Sequence, residues 1–195
     1  ASTIIVGSDP TSYYLLDDAQ DTFYRFDKQS LALTPVATLE GVVSYPQIAA
    51  GYFWYVRDQK RVFQLSLSTD TQATPTEMFG IGYDACDLAV GSSYAYCSTS
   101  GVIEQRDLTG GNPKDVLDSA KSKIASPFGA ALSVADGLLV RSSSGDPALQ
   151  DVIRAVAASG DEKLVACGRS TIATMATDGK NVAWVEKTGL FAAQR

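Results

Sequence analysis

Apolar and polar positions in this chain fall into short runs of Tyr, Phe, Val, Ile and Thr bounded by Gly, Asp, Asn and Pro, the pattern of strands joined by tight turns. The runs recur as a group. Five times the chain passes through a bulky apolar residue, a small residue, a turn, an aromatic-rich strand, a short loop and a second apolar strand. The large–small pair reads Val6-Gly7, Ile48-Ala49, Leu88-Ala89, Leu132-Ser133 and Met175-Ala176. The aromatic-rich strand begins at Tyr13, Phe53, Tyr94, Leu138 and Val182, so successive starts lie 40, 41, 44 and 44 residues apart. A period in this range with four short strands per repeat predicts β-propeller blades.

The expected fold is therefore all-β, one five-bladed β-propeller over 1–195, with blades at about 1–40, 41–80, 81–122, 123–167 and 168–195. Within each blade the strands are lettered A to D from the axis outward. Strand A carries the large–small pair, whose small member lets backbones approach where blades converge. Hairpin dipeptides follow it at Gly91-Ser92, Asp136-Gly137 and Asp178-Gly179, because these residues tolerate positive φ. Strand D is the most polar, and in three blades it is expected to open on a proline (Pro35, Pro75, Pro113), where no ladder donor is lost. Blade 5 reaches Arg195 without a fourth strand. Two readings follow: a closed five-bladed propeller with one three-stranded blade, or a piece of a longer chain.

Residues 175–184, Met-Ala-Thr-Asp-Gly-Lys-Asn-Val-Ala-Trp, resemble blades of secreted bacterial propellers of the TolB-like, NHL-like and YWTD-like group. So does Gly101-Val102-Ile103 running on to Asp107-Leu108-Thr109-Gly110-Gly111-Asn112-Pro113. The likeness covers nearly the whole chain and is one of blade type. It implies an extracytoplasmic protein that binds a ligand or another protein.

Composition narrows the chemistry. A net charge of −6 and a pI of about 4.6, without a Lys/Arg stripe, argue against a nucleic acid partner. No apolar run approaches a membrane span. Histidine is absent, which removes the commonest general base, the commonest zinc ligand and every triad that runs through an imidazole. No catalytic residue, cofactor or metal is expected, and the chain reads as a non-enzyme.

Of three cysteines, Cys86 and Cys97 flank the Gly91-Ser92 turn. If that turn has two residues, Val90 pairs with Ser93 and Cys86 falls opposite Cys97, with α-carbons about 5.5 Å apart and within disulfide range. Two buried thiols side by side would satisfy the same pattern. Cys167 has no evident partner.

Loops between strands D and A and between B and C share one face of a blade. Three D–A segments place an aromatic ahead of strand A: Tyr45, Tyr83 and Phe128. Such rings could stack on a sugar or peptide, or wedge between blades as core. The blade 2 B–C loop offers Arg57, Asp58 and Arg61, and the long blade 4 loop, 142–150, contains Asp146. Insertions of this kind gather on binding faces, although many are plain surface loops. Asp17, Asp18 and Asp21 lack the alternating spacing of calcium loops.

The sequence thus points to an extracytoplasmic, lectin-like or protein-binding module whose partner is a protein or carbohydrate. The alternative is a structural segment of a larger envelope or particle protein, its blade 5 edge completed by a strand from elsewhere. A carboxylate-based hydrolase or lyase is a third, weaker reading.

Overall fold

Within each of five sheets every strand pairs antiparallel with its neighbour in sequence, so each sheet is a meander built by local hairpins. A computed structural model describes residues 3–68, 73–81, 87–98, 102–118, 128–134, 137–143, 151–157, 159–168, 170–177 and 180–194; residues 128–134 are described by their backbone path. The fold is an all-β, five-bladed β-propeller. Blade 1 contains β1 (Thr3–Ser8), β2 (Ser12–Asp17), β3 (Thr22–Asp27) and β4 (Leu33–Thr38). Blade 2 contains β5 (Val43–Ala49), β6 (Tyr52–Arg57), β7 (Arg61–Ser66) and β8 (Thr76–Gly80). Blade 3 contains β9 (Asp87–Val90), β10 (Tyr94–Ser98), β11 (Val102–Asp107) and β12 (Lys114–Asp118). Blade 4 contains β13 (Phe128–Val134), β14 (Gly137–Ser143), β15 (Asp151–Ala157) and β16 (Glu162–Cys167). Blade 5 contains β17 (Ile172–Thr177), β18 (Asn181–Glu186) and β19 (Gly189–Gln194), a three-stranded sheet.

The chain divides into two compact units, residues 1–86 with blades 1 and 2, and residues 87–195 with blades 3 to 5. In the first unit, Tyr14, Leu16 and Phe23 of blade 1 pack against Phe53, Tyr55, Phe63 and Leu65 of blade 2. The rings form a continuous pile. Phe23 stacks on Phe53 at 4.1 Å between centroids, and Phe53 on Tyr55 at 5.2 Å. In the second unit Ile103 of blade 3 clusters with Leu138 and Val140 of blade 4. Leu139 and Ile153 of blade 4 in turn cluster with Met175, Val182 and Trp184 of blade 5. Side chains alternate across a strand, so blade 4 turns one apolar face to blade 3 and the other to blade 5.

The small residue of strand A has the expected role in blade 1. A Cβ on Gly7 would stand 2.7 Å from Ile48 Cγ1 of blade 2, too close for a side chain.

Two expectations are corrected by register. The Gly91-Ser92 turn is longer than a two-residue hairpin: Val90 pairs with Ala95, and the Gly91 N–H donates to the Tyr94 carbonyl at 2.9 Å. Cys97 consequently stands opposite Leu88, so the register expected from the shorter turn, with Cys86 directly opposite Cys97, is not the one observed, and there is no sulfur–sulfur pair among the described residues. Cys86 itself lies outside the described residues. Pro35 does not open strand D. It lies inside β4 opposite Tyr24, whereas Pro75 and Pro113 stand just ahead of β8 and β12.

The outer strands share a feature that periodicity did not predict. Each slips by one residue against strand C at the same place. The slip leaves Val36, Met78, Val116 and Val165 without partners, while Ala37, Phe79, Leu117 and Ala166 pair with Phe23, Val62, Ile103 and Ile153. This is a β-bulge, and it bends the outer strand over the apolar residue of strand C.

Candidate functional site

The expected binding residues of blade 2 do gather at one edge of its sheet. Val43, Arg57, Arg61 and Gly80 are successive cross-strand neighbours there, and Tyr45 follows two residues into β5. Tyr45 sits in the irregularity between Ser44 and Gln47 with φ 53°, an unusual conformation for a bulky residue, and it is exposed.

Asp58 and Gln59 turn the chain between β6 and β7, with φ of 51° and 59° and the Lys60 N–H closing onto the Arg57 carbonyl at 3.1 Å. Asp is among the few residues that enter this region readily. Its carboxylate accepts the Val42 N–H at 3.1 Å while its own N–H donates to the Val42 carbonyl at 3.0 Å. Gly41 (φ 77°) passes so close that an added Cβ would meet Asp58 Oδ1 at 2.7 Å. Asp58 is thus occupied in tying the turn to the interblade segment.

The Arg57 guanidinium lies 4.0 Å from the centre of the Phe63 ring and 3.8 Å from Glu40. The cation thus lies over the ring face, a cation–π contact, with Glu40 as its carboxylate partner. A cleft of about 310 Å³ opens beside it, lined by Thr38, Glu40, Arg57, Ala73 and Pro75. Beneath, the Tyr55 hydroxyl is buried without a hydrogen-bond partner, and burial pushes its pKa up to about 12. Arg61 pairs with Glu77 at 3.3 Å on an exposed surface, a contact of small energetic weight.

Phe128 opens β13 opposite Ser142, in the other unit. Tyr83 and Asp146 lie outside the described residues. Asp17 turns its carboxylate onto the Ala19 N–H at 3.0 Å, and among the described residues no three His, Cys, Asp or Glu side chains gather as metal ligands.

Sequence reasoning missed a second cleft, of about 530 Å³, lined by Cys167, Trp184, Glu186, Thr188 and Phe191. Trp184 and Phe191 are directly opposite on β18 and β19, and their rings stack at 5.9 Å. Glu186 is buried, and its carboxylate accepts the Trp184 indole N–H at 2.8 Å and both the N–H and hydroxyl of Ser170 at 3.0 Å. These charge-assisted bonds hold an anion in place below an aromatic wall. Cys167 is a free, half-buried thiol at the rim. The alternation Val182, Trp184, Glu186 was the available signal: a carboxylate on the buried face of a strand calls for dedicated donors.

No protein-family model matches the chain, and no curated protein sequence matches it. Solved structures do. A chain of a nidogen/laminin complex is similar with a TM-score of 0.64 and 12% identity, over 95% of this chain and 70% of that one. TolB from Acinetobacter baumannii is similar with a TM-score of 0.63 and 17% identity, over 94% of this chain and 49% of TolB. BamB from Moraxella catarrhalis gives a TM-score of 0.60 and 11% identity, over 98% of this chain and 56% of BamB. The likeness is one of fold. This chain spans about half the length of TolB and BamB. No helix among the described residues is long and apolar enough to cross a membrane.

Proposed function

We propose that this propeller is a non-catalytic assembly scaffold whose fifth blade is completed by a strand supplied by another segment or partner. The observation that carries this reading is the state of β19. In the other four blades strand C is paired on both sides, whereas β19 is paired with β18 alone among the described residues. An unpaired strand edge is a template for an added strand, because every incoming main-chain N–H and C=O finds a partner. Extracytoplasmic residence belongs to the same reading, and fractionation of native cells tests it: recovery with cytoplasmic markers would reject it.

The test of strand completion is hydrogen exchange in the presence of synthetic peptides copying residues 31–40, 74–81, 112–119 and 160–168. Protection of the amides of 189–194 by at least one peptide is the expected result. Unchanged exchange at saturating concentrations of all four would reject strand completion.

A second reading is favoured by the cleft at Trp184 and Phe191. Stacked rings above a carboxylate suit a carbohydrate or a basic peptide side chain. Titration followed by tryptophan fluorescence, with Trp184→Phe as control, decides it: a saturable change lost in the variant supports a ligand site, and silence across a glycan and peptide panel rejects it.

A further inference from the structure

The outer strands of blades 1 to 4 share more than an extended conformation. Each carries two consecutive apolar residues, Val36-Ala37, Met78-Phe79, Val116-Leu117 and Val165-Ala166. The second member pairs with a buried residue of strand C, and the first is bulged out of the ladder. Strict alternation would put the two on opposite faces, yet Val36, Ala37, Val116 and Leu117 are all buried. The bulge sets two residues against one and so lets both stay apolar. In blades 1 and 2 the strand C residue concerned belongs to the second pair from the B–C turn, Leu16 with Phe23 and Val56 with Val62. In blade 5 that pair is Val185 with Leu190.

A second regularity lies in the run-in to strand D. Ala73, five residues ahead of Met78, donates its N–H to the Val36 carbonyl at 3.0 Å. Gly160, five residues ahead of Val165, passes the Val116 carbonyl so closely that an added Cβ would stand 3.2 Å from its oxygen. Val36 and Val116 are the bulged residues of the preceding blade of the same unit, so each bulge turns a carbonyl to the next run-in. By the same count the carbonyl offered to blade 5 is that of Val165. The clefts agree. Thr38 and Arg57 hold in blade 2 the places of Cys167 and Glu186 in blade 5. The blade 2 cleft, about 310 Å³, is also lined by Ala73 and Pro75 of its run-in, and the blade 5 cleft measures about 530 Å³. We infer that the strand completing blade 5 carries an adjacent apolar doublet, its first member bulged and its second opposite Leu190, and that its run-in crosses the Trp184 cleft to the Val165 carbonyl. The inference rests on the strand-completion reading and specifies the occupant. Beside Leu190, which itself stands beside Val185, an apolar residue extends a cross-strand apolar row. A strand without the extra residue would turn its run-in to the other face. The ladder is the same whatever the strand is attached to.

The test adds a capped synthetic peptide copying residues 73–81 to the 195-residue chain and leaves the protein itself unaltered. Hydrogen exchange reads the amides of 189–194, two-dimensional NMR reads the register, and fluorescence reads Trp184, with Trp184→Phe as the blank. The peptide is expected to protect 189–194, to place its Phe79 opposite Leu190 with Met78 unpaired, and to shift the Trp184 emission. A Phe79→Asp peptide should bind roughly fivefold more weakly, the loss of one apolar cross-strand pair. A peptide lacking Met78, and one trimmed to 76–81, should still protect 189–194 but leave the Trp184 emission unchanged. Phe79 opposite Gly189 or Phe191, or equal affinity of the Phe79→Asp peptide, would overturn the inference while strand completion stands. A Trp184 shift as large with the trimmed peptide would likewise overturn the run-in. Absence of protection with every peptide would reject strand completion itself, and this inference with it.

Discussion

Ile153 and Leu190 hold the same place in adjacent blades of one unit, and truncating each to alanine separates burial from residue type. Ile153 is 0% exposed and belongs to the cluster with Leu139, Met175, Val182 and Trp184. Its removal takes away three buried carbon atoms and leaves a cavity between two sheets that cannot both collapse onto it. The expected cost is about 3 kcal/mol, within the range of roughly 2–5 kcal/mol for such truncations. Leu190 is 74% exposed, so its side chain is nearly as hydrated in the folded chain as in the unfolded one. Leu190→Ala should then cost no more than about 0.5 kcal/mol. The assay is urea unfolding at a concentration low enough to keep the protein monomeric, with m-values compared so that midpoints translate into stability. In a melt, the Ile153→Ala loss corresponds to a fall of about 6–12 °C for a chain of this size. Equal destabilisation by the two truncations in dilute solution would refute the reasoning. It would mean that Leu190 is covered in solution.

Gly7→Val should destabilise by about 1–3 kcal/mol, because its Cβ would press on Ile48 at 2.7 Å; an unchanged urea midpoint would refute the close approach. The Tyr14 hydroxyl, 2.7 Å from Asp9, together with bonds from Thr11 and Ser12, lowers the Asp9 pKa from 3.8 to about 2. A depressed carboxyl favours folding above its unfolded value, so this contribution, about 1 kcal/mol after solvent screening, should fade as pH falls from about 4 to about 2 and should be smaller in Tyr14→Phe. The Tyr14 phenol, raised to about 12 by burial and then by Asp9, acts in the opposite range: its share is intact below pH 10 and lost as pH rises towards 12, which ultraviolet titration of Tyr14→Phe against wild type measures. Glu186→Ala removes the acceptor of three donors and should cost about 3 kcal/mol, with a shifted Trp184 emission; a silent variant would show those donors satisfied elsewhere.

The sequence was most legible where one blade repeats another. The period survives, with strand B starting at Ser12, Tyr52, Tyr94, Gly137 and Asn181, within one residue of expectation, because a buried strand must alternate and a tight turn must supply Gly, Asp or Asn wherever it lies. Register was less legible. Two extra turn residues before Ala95 moved Cys97 opposite Leu88, and pattern cannot count loop residues. The outer-strand bulges were half visible in the doublets Val36-Ala37, Met78-Phe79, Val116-Leu117 and Val165-Ala166, where two consecutive apolar residues break the alternation. Tyr45, Arg57, Asp58 and Arg61 fall at one edge of the blade 2 sheet, yet the sequence could not tell that Asp58 is committed to Val42 or that Arg57 lies on Phe63. The cleft at Trp184 stayed hidden because it joins residues from two blades.

By itself, then, the sequence determined what local rules decide: an all-β chain, five repeats, four strands in most of them, and no imidazole chemistry. Those properties follow from side-chain alternation, turn geometry and composition, which act over a few residues. The tertiary structure alone decided which faces are covered. Leu190 and Ile153 are similar in size and hydrophobicity and occupy the same position in the repeat, yet Leu190 is exposed while Ile153 is buried by the residues of blade 5 packed against it. Burial is a property of neighbours brought in from far along the chain, and no residue carries it alone.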